Sequence, residues 1–225
     1  MAAETKIVLI HGAWGSPEMW QWVIDELGPL AADAVTVDLP TMQRADATLA
    51  DDVATVVDAA GDGPVVLVAH SYGGTVATEA GPRIPGLTHV VYVAAAVPDV
   101  GESMFDWVSK RPDEDAMPLE FKDDGTAVVT FVEDPRDHPM TVERIQRLEP
   151  RPWAVAAVMQ PLEHAAWRSV PTTYLVATSD RVIDPETQRE MAARTSTVTE
   201  IAGDHMLNLC CPAEVAAAVR NAVGA

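Results

Sequence analysis

The chain has 225 residues, enough for one domain with a modest insertion and too few for two full enzyme domains. Apolar residues make up 48% and charged residues 22%, a globular composition that excludes disorder. The 34 acidic and 15 basic residues give a formal net charge of −19, which argues against binding nucleic acid or anionic lipid, since both need a basic face.

Along the chain, short β-rich runs alternate with helical patterns. Lys6–His11 reads as a continuous apolar strand. It is too short for a signal-peptide core or a membrane span, so the chain reads as cytoplasmic, with no membrane partner. Its expected assembly is a monomer or homodimer. Pro17–Leu27 follows as a helix, with Met19, Trp20, Val23, Ile24 and Leu27 at i, i+3, i+4 spacing, Ser16 as N-cap and Pro17 at the first helical position. Strands are predicted at Ala34–Asp38, Val65–Ala69 and His89–Ala94, with a helix over Leu49–Ala60 between the first two. Later come strands Thr172–Ala177 and Thr197–Ile201 and helices Pro185–Arg194, capped by Asp184, and Pro212–Val223. Most of these strands are apolar throughout, as strands buried on both faces are. Strand–helix alternation implies βαβ units, hence an α/β fold with a mostly parallel central sheet and helices on both faces.

Residues 99–168 break this rhythm with prolines, mixed charges and scattered large apolar side chains. The segment has a strand-like run, Ala127–Val132, and helical pieces at Thr141–Leu148 and Trp153–Met159. It reads as a cap inserted over the carboxyl edge of the sheet, where ligands bind in open α/β folds, leaving 1–98 and 169–225 as the core.

The third strand runs into Ala69-His70-Ser71-Tyr72-Gly73-Gly74 and then a helix. A sharp strand–helix turn of this kind lifts a serine hydroxyl clear of the sheet, and small residues two before and two after it, here Ala69 and Gly73, permit the close backbone approach. The helix that starts there offers a backbone N–H to a developing oxyanion. A serine needs a base, and His205 lies in a loop between the last strand and the last helix. The base needs an orienting carboxylate. Asp180 comes soon after strand Thr172–Ala177, whereas Asp184 precedes Pro185 and serves as a helix cap. The second oxyanion donor falls after the first strand, in His11-Gly12-Ala13-Trp14; the backbone N–H groups of Ala13 and Tyr72 are the candidates.

His11, Gly12 and Ala13 after the first strand, His70-Ser71-Tyr72-Gly73-Gly74, Ala94–Asp99, and Gly203-Asp204-His205-Met206 with Cys210 and Pro212 resemble the α/β-hydrolase group that contains plant methyl esterases and hydroxynitrile lyases. The resemblance covers roughly residues 5–100 and 170–223. It implies the α/β-hydrolase fold, a nucleophile, acid and base at Ser71, Asp180 and His205, oxyanion amides at Ala13 and Tyr72, and no cofactor. The lyases of this group carry a lysine directly after the catalytic histidine and a hydroxyl or amide side chain after the last residue of the first strand. This chain has Met206 and Gly12 there, which favours a bacterial-type esterase branch.

The expected function is therefore a serine hydrolase acting on a small carboxylic ester or lactone. The alternative is a cofactor-free lyase using His205 as general base. Trp14, Phe121 and Trp153, with Gly12 and Met206, are the candidate pocket residues. His138 and His164 lack metal-ligand spacing, and no metal is expected. The acidic excess reads as surface, with Asp180 as the one carboxylate placed in the site.

Overall fold

The computed structural model describes residues 5–111, 119–129 and 137–225. Four strands come first: β1 (Lys6–Ile10), β2 (Ala34–Val37), β3 (Val65–His70) and β4 (Leu87–Val93). A small antiparallel sheet follows, formed by β5 (Leu119–Phe121), β6 (Thr126–Val129) and β7 (Trp153–Ala154). Then come β8 (Thr172–Ala177) and β9 (Thr197–Ile201). The main sheet has six parallel strands in the order β2-β1-β3-β4-β8-β9.

The continuous apolar runs are explained by two cores, one on each face. Val8, Ile10, Leu67 and Ala69 point to one face, Ile7, Leu9, Val66 and Val68 to the other, as strand alternation requires. The first face is covered by Val53 and Val56 of α2 (Leu49–Ala60), Val76 and Ala77 of α3 (Gly73–Ala80) and Met191 of α6 (Pro185–Ala192). Val23 of α1 (Gln21–Glu26) and Val215 and Val219 of α8 (Pro212–Val223) cover the second. Every residue of β3 is buried, so its carboxyl end lies at the centre of the molecule.

The helix ends follow local chemistry. Thr48 and Asp51 form a reciprocal capping box on α2, and Asp184 accepts from the N–H groups of Glu186 and Thr187 at α6. The helix expected over Pro17–Leu27 is split: Pro17–Trp20 is a 3-10 turn, α1 starts at Gln21, and Ser16 makes no capping bond.

Between β4 and β8 the structure departs further from the periodicity. Helices α4 (Phe105–Val108) and α5 (Pro139–Ile145) are short. The helix expected at Trp153–Met159 is instead strand β7, with Trp153 paired opposite Ala127, followed by a 3-10 turn over Val155–Met159. Cross-strand pairing overrides local propensity there. Of the expected strand Ala127–Val132, residues 130–132 lie outside the described residues. A last short helix, α7 (Leu207–Cys210), precedes α8. Cys210 and Cys211 are buried free thiols. No helix among the described residues is long and apolar enough to cross a membrane.

Candidate active site

Ser71 follows β3 directly and adopts φ +53°, the left-handed region that a non-glycine residue rarely enters. Such a conformation costs roughly 1–3 kcal/mol and persists where its surroundings fix it. Here the Ser71 N–H donates to Val93 O at 3.3 Å, and Ser71 O accepts from Gly74 and Ala96. The turn fits only because its neighbours are small. A Cβ on Gly73 would stand 2.7 Å from the carbonyl oxygens of Ile10 and His11, and one on Gly12 would stand 2.8 Å from Ser71 Cβ.

His205 lies between β9 and α7. Its Nε2 accepts from Ser71 Oγ at 2.9 Å, and its Nδ1–H donates to Asp180 Oδ2 at 2.7 Å. The Asp180 carboxylate, 4% exposed, is saturated. Its Oδ1 accepts from the N–H groups of Val182 and Ile183, and Oδ2 also accepts from Gln188 Nε2 at 2.6 Å. Gln188 in turn donates to Ile183 O and accepts from Ala177 N–H, which ties the acid loop to the end of β8. The three residues thus meet at the carboxyl ends of β3, β8 and β9. This arrangement can take the proton from a hydroxyl at Ser71 and hold the charged imidazole. Ser71 and His205 are both buried, at 5% and 8% exposure.

Two further histidines frame the site. His70 Nε2–H donates to His205 O at 2.9 Å, while its Nδ1 is buried with no partner. Burial, and next the neighbouring His205 ring, push the His70 imidazole down to about 3, so it stays neutral. His11 Nδ1–H donates to Gly12 O, and His11 Nε2 accepts from Leu39 N–H, which fixes the loop after β1. Among the described residues, the backbone N–H groups of Ala13 and Tyr72 meet no acceptor. Both lie beside the Ser71 turn and are free to donate to an incoming oxygen.

Tyr72 carries a feature absent from the sequence reading. Its hydroxyl donates to Asp52 Oδ2 at 2.8 Å, and Asp52 also accepts from Thr41 Oγ1 at 2.7 Å and Thr41 N–H at 3.0 Å. Burial pushes the Asp52 carboxyl up, and burial together with Asp52 pushes the Tyr72 phenol up. The signal was present: Leu49, Asp52, Val53, Val56 and Ala60 form the buried i, i+3, i+4 stripe of α2, with an acid inside it. Glu79 and Asp204 are buried as well, so Asp180 is one of several interior carboxylates.

The candidate pocket residues divide. Trp14 follows Ala13, sits at φ +57°, and donates from Nε1 to Ala127 O at 2.9 Å. Its ring meets Trp153 edge-on at 5.1 Å, and Trp153 lies 5.0 Å from Tyr72. Met206 is buried with Met19 and Leu209, and Gly12 touches the Ser71 turn. Phe121 is a correction: it is 68% exposed on β5, an edge strand of the small sheet, and does not face the buried site. A crevice of about 10 Å³ beside Trp14 and Met19 has room for about one water.

Glu79, Glu163 and His164 bring possible metal-ligating atoms within 4.8 Å of one another. The Glu79 oxygens are already engaged by Arg83, by the N–H groups of Glu163 and His164, and by His164 Nδ1, an arrangement that joins α3 to residues 163–164.

The sequence is 26% identical over 247 aligned residues to the alpha/beta hydrolase nvfD of Aspergillus novofumigatus, covering 97% of this chain and 96% of that one. The fold is similar to a pyrethroid hydrolase from Sphingobium faniae JZ-2, with a TM-score of 0.79, 18% identity and 98% of each chain covered. It is also similar to polyneuridine aldehyde esterase, with a TM-score of 0.72, 20% identity and 97% and 99% covered. The sequence model of the alpha/beta hydrolase family matches residues 7–218, nearly the whole length, and the chain belongs to that family.

Proposed function

We propose that the protein is a serine hydrolase that cleaves a small carboxylic ester or lactone through an acyl-enzyme on Ser71. The observation that carries this reading is the hydrogen-bonded series from Ser71 Oγ through His205 to Asp180, starting from a serine held at positive φ. Ser71 Oγ attacks the carbonyl carbon as its proton passes to His205 Nε2. The oxyanion of the tetrahedral intermediate is held by the N–H groups of Ala13 and Tyr72. Collapse expels the alcohol, which takes the proton from His205. Water then attacks the acyl group with His205 again as base, releases the acid and restores Ser71. Asp180 keeps the imidazole in the tautomer that leaves Nε2 free to accept.

In this reading residues 99–168 form the cap, and Trp14, Trp153 and Met206 line the acyl side of the pocket. The esterase named among the structural relatives supports the substrate class by its fold only. Turnover of short-chain aryl esters tests the proposal. Ser71→Ala should reduce it to the level that binding and oxyanion stabilisation alone sustain, a loss of roughly 10⁶-fold in kcat. A fluorophosphonate should label the wild type at Ser71 and leave Ser71→Ala unlabelled. Undiminished turnover in Ser71→Ala would remove the nucleophile, and a fluorophosphonate that fails to label the wild type would favour the lyase alternative, with His205 acting alone as base.

A further inference from the structure

We infer that Asp204 is a positioning residue through which the cap holds the catalytic base in register. The inference rests on the proposed roles of Ser71 and His205, and on a cluster that those roles do not use. Asp204 precedes His205 and is 8% exposed. Its Oδ1 accepts from Met206 N–H at 2.9 Å, which closes the backbone around His205. The same oxygen accepts from Thr141 Oγ1 at 3.0 Å, and Oδ2 accepts from His138 N–H at 3.0 Å. Two of its three bonds therefore leave the core and end on the first turn of α5.

The acid loop is held at the same place. Arg181, which follows Asp180, pairs with Asp137 at 2.7 Å, directly before His138. Arg144 of α5 donates to Leu209 O in α7. One short cap segment, residues 137–144, thus grips the loop that carries the acid, the loop that carries the base and the helix after the base. The base held this way is itself buried, at 8% exposure. Loss of the bonds from Thr141 and His138 leaves Asp204 tied to Met206 N–H alone and loosens the backbone on both sides of His205.

The test uses Thr141→Val, Thr141→Ser, Asp204→Ala and the Thr141→Val/Asp204→Ala double variant, assayed on a small aryl acetate. In Thr141→Val, kcat should fall about 5- to 20-fold with KM within about twofold, the range of a contact coupling. Thr141→Ser, which keeps the hydroxyl, should restore wild-type kcat. Adding Thr141→Val to Asp204→Ala should lower kcat by no more than about twofold further, since the bond is already gone. The low-field proton resonance of the His205–Asp180 hydrogen bond should broaden in Thr141→Val and remain sharp in Thr141→Ser. An unchanged kcat with a raised KM, losses that multiply in the double variant, or an unaltered proton resonance would each overturn the inference. If Asp204→Ala does not fold, the Thr141 pair decides alone. Failure of a fluorophosphonate to label wild-type Ser71 would instead sink the nucleophile reading, and the proton resonance would still judge the positioning role by itself.

Discussion

Tyr72 serves the proposed site twice, through its backbone N–H and through a hydroxyl anchored on Asp52, and the two can be separated by substitution. Asp52 takes three donors in a dry environment, and burial raises its carboxyl, so the charged form is disfavoured there. Asparagine fits the same space. Its carbonyl oxygen can accept from Thr41 N–H, and its amide can donate to the hydroxyls of Thr41 and Tyr72, both of which can turn to accept. Asp52→Asn should therefore unfold within about 1 kcal/mol of the wild type and keep its activity. Tyr72→Phe removes a buried donor and should cost roughly 1–3 kcal/mol in denaturant unfolding, with a fall in kcat as the amide beside Ser71 loses its anchor. A large loss in Asp52→Asn with none in Tyr72→Phe would show that the charge of Asp52, and not its geometry, supports the turn.

At the scale of elements, the legible parts of the sequence were those where one local rule governs. Leu49–Ala60, Thr172–Ala177, Thr197–Ile201 and Pro212–Val223 stand where the sequence pattern places them: the two helices each pack one apolar stripe on the sheet, and the two strands pair with each other in register within it. The approach of Ser71, Asp180 and His205 was also readable, since each follows a recognisable strand. Trp153 was not readable: its neighbours favour helix, and only pairing with Ala127 makes it strand β7. The exposure of Phe121 and the burial of Asp52 depend on contacts between distant segments in the same way. Trp14 shows what such contacts do. Its indole links the loop after β1 to β6, and Arg151 N–H donates back to Trp14 O. Trp14→Phe leaves Ala127 O, in a fully buried residue, without that donor. The cost should be about 1–3 kcal/mol, which lowers Tm by several degrees in a chain of this length. Calorimetry should show that shift, and kcat/KM should fall with it because Ala13 loses the fixed neighbour on its carboxyl side. A variant with unaltered Tm would mean that the Trp14–Ala127 bond is replaced by solvent.

For the whole molecule, the acidic composition hides a pH dependence to which one buried histidine contributes. His70 is neutral when folded, held down to about 3 chiefly by burial, whereas an unfolded histidine takes a proton near 6.5. Between those values the unfolded chain binds more protons, so stability should fall as pH drops from about 6.5 toward 3. His89, also lowered by burial, acts in the same sense. The carboxylates respond in other windows. Hydrogen bonds from Arg194, opposed by partial burial, hold Glu102 down to about 2, so its contribution is present above an unfolded value near 4.3 and is lost only as pH falls toward 2. Asp52 is raised, so its contribution has the opposite sign: the folded state binds the extra proton, and stability falls as pH rises from near 3.9 through its folded value. Between pH 6.5 and 5 the lowered histidines and the raised Asp52 act in opposite senses, and substitution of His70 isolates its share. The slope of unfolding free energy against pH there should be reduced by up to one proton in His70→Gln, about 1.4 kcal/mol per pH unit. Glutamine carries its amide nitrogen as far from Cβ as the histidine carries Nε2 and so retains a donor for His205 O, and the fold should survive the change. Urea titrations at pH 6.5, 6.0, 5.5 and 5.0 on both proteins measure that slope. Parallel slopes would mean that His70 is protonated in the folded state, which its unpartnered Nδ1, buried and without an acceptor, gives no means to stabilise.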